Sequence, residues 1–158
     1  MAQPSRTARP QTDAELSIVD GLVQLSFLVH NALERHAADH ELSMVQTRLL
    51  GVLRDRQPTM NELAKLLALD KSSITGLIDR AERRGLVERV PSTTDRRAVR
   101  VNLTVAGRAV VRRVAARFEA DVNALLQVLP AADRRTLSGV VSRVVVANAT
   151  AHVDDRTD

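Results

Sequence analysis

From Glu15 to about His36 the apolar residues fall at Ile18, Leu22, Leu25, Val29, Ala32 and Leu33, and a second series runs through Leu16, Val19, Val23 and Phe27. Spacings of three and four put each series on one face of a helix. A helix apolar on two faces is buried on both, and in a chain this short the second face predicts a partner subunit. Thr12 and Glu15 have the spacing of a capping box and predict where this helix starts. Two more boxes, Ser43 with Gln46 and Thr59 with Glu62, predict one helix through about Leu53 and another over Leu63, Ala64, Leu66 and Leu67. Asp70 is the expected N-cap of a fourth helix, Lys71 to about Arg84, with Gly85 as its stop. Its inner stripe is Ile74, Leu77, Ile78 and Ala81. It turns Lys71, Ser72, Ser73, Thr75, Gly76, Asp79, Arg80 and Arg83 outward.

After Gly85 the period changes. Val99, Val101 and Leu103 alternate with Arg100 and Asn102, as in a half-buried strand. Leu86–Val90 supplies the other strand, and Pro91 with Ser92–Asp95 makes the turn. Thr104 then caps a fifth helix reaching about Leu129, and Pro130 breaks it. A sixth helix is predicted from about Ala131 to Ala149, striped by Leu137, Val140, Val141, Val144 and Val145, with a frayed end from His152. Only Ala68, Leu69 and Asp70 join the third and fourth helices, which is helix-turn-helix spacing. The predicted fold is mainly α with a small β-hairpin: a winged helix-turn-helix plus N- and C-terminal dimerisation helices. Residues 1–11 are expected as a disordered arm, 12–40 and 104–150 as dimerisation helices, 41–103 as the DNA-binding domain and 151–158 as a flexible tail.

Composition narrows the chemistry. The 158 residues are 44% hydrophobic yet hold two Phe and no Trp or Tyr, so the core must be Leu, Val, Ala and Ile. Cysteine is absent, which excludes disulfides, thiolate metal sites and thiol switches. The polar N-terminus lacks a signal-like apolar run, and no uninterrupted apolar window is long enough for a membrane helix. A cytoplasmic protein without a membrane partner is expected. The net charge is +4, but between Asp79 and Arg113 ten arginines face four acids. A local excess above that of the whole chain favours a polyanionic partner.

Double-stranded DNA fits that partner. A helix enters the major groove by its N-terminal half and needs small polar residues for close approach. Lys71, Ser72, Ser73, Thr75 and Gly76 meet that need, and Arg80 adds a long cation. At the hairpin tip Arg96 and Arg97 have the chemistry to enter a narrow minor groove, which concentrates negative potential. Asp95 would be repelled by DNA, so its expected role is to orient an arginine.

The segment "LAKLLALDKSSITGLIDRAERRGLVERVPSTTDRRAVRVNLTVAGRAV", Leu63 to Val110, resembles the core of the MarR family of bacterial transcription regulators. The matching features are Thr75-x-x-Ile78-Asp79-Arg80, Gly85-Leu-Val-Glu-Arg89, Asp95-Arg-Arg97 and Leu103-Thr104-x-x-Gly107. The resemblance implies an obligate homodimer on a palindromic operator, usually a repressor released by a small ligand, with Arg97 as the minor-groove arginine. The chain departs from the family's oxidation sensors, which use an N-terminal cysteine, and from its urate binders, which carry a tryptophan in the first helix. Ala81 stands where a Leu is frequent.

Phe27, His30 and Arg48 are the candidates for an aromatic or anionic effector pocket. His36 and His40 have a metal-compatible spacing, with Glu34 and Glu41 nearby, but are expected as solvated side chains; no metal or cofactor is predicted. The alternatives are a metal-sensing member of the family and a helical dimeric adaptor without sequence-specific DNA binding. Catalysis is not expected: there are no paired carboxylates at catalytic spacing, no Ser/His/Asp set and no phosphate loop.

Overall fold

The computed structural model describes residues 16–91 and 98–154, with 149–154 as backbone. The elements are α1 (Ile18–Ala38), α2 (Met44–Asp55), α3 (Met60–Leu67), α4 (Lys71–Arg83), β1 (Val87–Pro91), β2 (Val99–Leu103), α5 (Val105–Leu126) and α6 (Ala131–Asp154). Mainly helical with one antiparallel hairpin, this is the expected winged-helix class.

The capping residues set the boundaries. Ser43 and Thr59 both close reciprocal boxes, Ser43 N–H donating to Gln46 Oε1 at 2.9 Å and Thr59 N–H to Glu62 Oε2 at 2.7 Å. The start predicted at Thr12 lies outside the described residues. The helix described begins at Ile18, where Ser17 accepts from the Asp20 N–H and donates its hydroxyl to the Asp20 carboxylate at 2.6 Å. Leu16, placed in the second stripe, therefore precedes the helix. Two C-terminal ends also differ from expectation. α5 stops at Leu126, not Leu129: Pro130 has no N–H to continue the ladder, and Leu129 N–H turns back to Leu126 O at 3.1 Å. α6 continues to Asp154, because nothing from Thr150 to Val153 breaks a helix.

The core lies where α2, α3 and α4 meet the hairpin. Leu49, Leu63, Ile74, Leu77, Ile78, Val87 and Val101 are its most buried large side chains, each stabilising the fold by about 1.5–3 kcal/mol. β1 and β2 pair Val87 with Leu103, Arg89 with Val101 and Pro91 with Val99. Pro91, expected in the turn, thus ends the first strand. The free edge of β2 is covered by the α2–α3 connection, where Val101 N–H donates to Pro58 O at 3.0 Å. Ala68 ends α3 in the left-handed region, at φ 54°, and aims the chain at Asp70. Gly85 turns the chain out of α4 at φ 66°, a conformation that suits glycine.

Thr104 ties the hairpin to α5, accepting from Gly107 N–H at 3.0 Å and donating to Gly85 O at 2.6 Å. Leu86 O fills the space a side chain on Gly107 would need. α1 packs along α5, burying Ala32 and Val114, while Asp121 accepts from Arg35 at 3.0 Å and bonds His36 at 2.9 Å. The other faces of α1 and α6 stay open. Ile18 is 80% exposed and Val145 62%. Among the described residues no helix is long and apolar enough to cross a membrane.

Candidate nucleic-acid interface

Asp70 organises the start of α4. Its carboxylate accepts the N–H groups of Ser72 and Ser73, each at 2.8 Å, and both of their hydroxyls, each at 2.6 Å. The Ser72 hydroxyl, then the Ser73 hydroxyl and N–H, hold the Asp70 carboxyl well below the usual carboxylate range. Lys71, Ser72, Ser73 and Thr75 are exposed in the first half of the helix and Arg80 in the second, and Gly76 is half-buried between them. Thr75 donates its hydroxyl to Lys71 O at 2.8 Å. The Arg80 guanidinium folds back over Gly76, so close that a Cβ there would sit 3.3 Å from Nη1. A shallow hollow of about 270 Å³ results, walled by Ser72, Ser73, Arg80, Val45 and Leu69.

The structure thus brings together six of the eight residues expected to meet DNA. The other two, Arg96 and Arg97, lie outside the described residues with the orienting Asp95.

Residues 40–98 match the family model described as MarR family. Over this segment the chain is similar to the MarR family. It is 28% identical over 149 residues to the HTH-type transcriptional regulator PecS of Dickeya dadantii, covering 91% of this chain and 90% of that one. It is 36% identical over 96 residues to the HTH-type transcriptional repressor NicR of Pseudomonas putida, covering 56% of this chain and 61% of the relative. Its fold is that of a mutant MarR from Escherichia coli solved by crystallography, with a TM-score of 0.70, 24% identity and coverage of 84% of this chain and 99% of the other. Both relatives are named as regulators of transcription, the second as a repressor.

Two arginines that matter to this chain's geometry had no assigned role in the sequence. Arg89, on β1, reaches Asp79 Oδ1 at 2.6 Å and also Glu82 Oε2, and its backbone N–H meets Glu82 Oε1 at 3.3 Å. The base of the wing is thereby fastened to α4, and Asp79 is turned toward the strand instead of outward. Arg89 is largely shielded, at 27% side-chain exposure. Acids three apart on one helix face, followed by an arginine in a strand, are the signal that could have found it. Arg84, just past α4, donates to the carbonyls of His40 and Glu41 at 2.8 and 2.7 Å. That contact spans more than forty residues and has no local signature.

A second concavity, about 250 Å³, opens between α1, α2 and α5 and is lined by Leu33, Leu42, Arg48, Leu50, Val111 and Phe118 among others. Arg48 is among its lining residues. Phe27 and His30 do not line it; both are exposed further up α1. Phe118 and Arg54, which do line it, were not singled out. His36 departs from the expected solvated state. Its ring is 15% exposed and bonds Asp121, and this bond first, then that of Arg35, lowers the Asp121 pKa. Among the described residues no group of three His, Asp or Glu could hold a metal ion.

Proposed function

We propose that this chain is a MarR-type transcriptional regulator, a repressor that binds a palindromic operator as a homodimer and is released by a small effector. The observation that carries the reading is the start of α4: small hydroxylated residues, a glycine and a folded-back arginine on one exposed face, with the wing anchored beside it by Arg89. Lys71, Ser72, Ser73, Thr75, Gly76 and Arg80 face the major groove. Arg96 and Arg97 enter the flanking minor groove, with Asp95 orienting one of them. Residues 41–103 form the reading unit. Residues 12–40 and 104–150 pair two copies, which supports recognition of half-sites about 34 Å apart. The open valine and leucine faces of α1 and α6 support that pairing. The name of the relative NicR, a transcriptional repressor, supports repression. The cleft at Arg48, apolar with a cation at its rim, suits an aromatic acid, with Phe27 and His30 close enough in sequence to complete it from a paired copy. The protein acts in the cytoplasm, where its operator is.

A salt titration on the selected operator tests the DNA reading. Log affinity should fall by about 0.9 per phosphate neutralised for each unit of log salt, and Arg97→Ala should cost roughly 1–3 kcal/mol on that operator. A flat salt response would sink the reading, and unchanged affinity for Arg97→Ala would remove the wing from it.

A further inference from the structure

Each hydroxyl on the amino-terminal half of α4 has its single hydrogen committed inside the chain. Ser72 Oγ and Ser73 Oγ sit 2.6 Å from Asp70 Oδ1 and Oδ2, and Thr75 Oγ1 sits 2.8 Å from Lys71 O. A carbonyl only accepts. Asp70 also only accepts, because its carboxyl stays ionised far into acid. The hydroxyls must therefore be the donors in all three bonds. A hydroxyl owns one hydrogen and two lone pairs, so what these side chains can still offer a ligand is lone pairs.

The geometry points to Ser72 and Ser73 as acceptor-only readers that select amino-bearing bases, adenine or cytosine, on the contacted strand, with Asp70 as the positioning residue that sets their polarity. This rests on the DNA-binding reading above and adds which base class the helix prefers. In the major groove adenine N6 and cytosine N4 donate, whereas guanine and thymine present only acceptors at the corresponding edge. Two acceptors facing each other gain nothing, so keto bases and phosphates are poor partners for these serines. Donors on the same face come from Lys71 and from Arg80, whose guanidinium shares the hollow with Ser73. The hollow thus sets an acceptor beside a cationic donor. Turning a serine O–H outward at a dry interface would strip the Asp70 carboxylate of a charge-assisted bond, which makes the committed polarity the stable one.

The test uses the full chain and duplexes selected from a random pool. The selection is repeated with Ser73→Ala, and the position whose preference disappears is the one Ser73 reads. There the unmodified chain should favour A or C over G or T by about fivefold, the worth of one hydrogen bond. Replacing that base with its analogue lacking the amino group, purine or 2-pyrimidinone, should cost the same factor. Asp70→Asn keeps a good N-cap, since one side-chain oxygen can still accept both backbone N–H groups. Its amide nitrogen then donates to Ser73 and frees the serine hydrogen, so the preference should switch to G or T. Combining Asp70→Asn with Ser73→Ala should abolish the switch. An amino preference surviving in Asp70→Asn, a switch surviving in the double variant, or a Ser73→Ala loss shared equally by all duplexes would each overturn the proposal. If the unmodified chain selects no sequence, the DNA-binding reading itself falls.

Discussion

Leu63, Ile78 and Val101 are fully buried within the winged helix, while Ile18 on α1 and Val144 and Val145 on α6 are 80%, 57% and 62% exposed. The two regions have similar side chains and the same helical spacing. They differ in what lies opposite. In the first, α2, α3, α4 and the hairpin supply each other's apolar faces within one stretch of chain. In the second, α1 packs on α5 and touches α2 while its other face stays open, and α6 makes sparse contact with any other element. Periodicity thus reports that a face wants burial and says nothing of where the covering surface comes from. The winged helix covers its own apolar faces, and the long end helices leave theirs open.

The contrast breaks first at the joint between the regions. Gly107→Val should destabilise the folded chain by about 3 kcal/mol or more in urea unfolding, because the new side chain collides with the Leu86 carbonyl and the backbone must move. A stability within ~1 kcal/mol of the parent would show that the contact is slack. Next, Val144→Asp with Val145→Asp should raise the dissociation constant of the proposed dimer at least about tenfold by sedimentation, since a carboxylate buried there without a partner costs more than ~1.4 kcal/mol. The circular dichroism signal of the winged helix should survive, and its joint loss would erase the distinction between the two regions. Arg89→Gln should cost about 1–2 kcal/mol of stability, as both of its carboxylate bonds are partly shielded, and should loosen the wing in hydrogen exchange without altering α1. The smallest effect belongs to Asp121. Its folded pKa lies below the unfolded one, so its contribution is complete above about pH 4 and fades as acidity increases through the lower, folded value. Asp121→Asn should lower stability slightly at neutral pH, leave it unchanged below the folded pKa, and so flatten this part of the acid unfolding curve.

What was legible in the sequence follows the same divide. The turn between α3 and α4 could be read to the residue, because Thr59, Asp70 and Gly85 each satisfy a backbone need within a few positions of themselves. The start of α1 was not, because Thr12 with Glu15 and Ser17 with Asp20 both have capping spacing, and the second is the pair that closes on the helix described. The outward residues of α4 were legible as a face, since helical spacing fixes which side chains share it. The direction of their hydrogens was not, because it depends on where Asp70 points. Arg84 was invisible for a different reason: its partners are brought to it by the fold from more than forty residues away. The cleft at Arg48 needed both α1 and α5 in place before Phe118 could be counted and Phe27 set apart.

The close fit at Gly107 also governs how this molecule can move. With a carbonyl oxygen seated against the first turn of α5, and Thr104 bonded to both sides of the seam, that end of the helix and the strands behind it share one motion. A hinge there would have to open a packed backbone contact. Any tilt imposed on the far half of α5 is therefore delivered to the wing as a swing of a stiff arm, and the pivot must lie elsewhere.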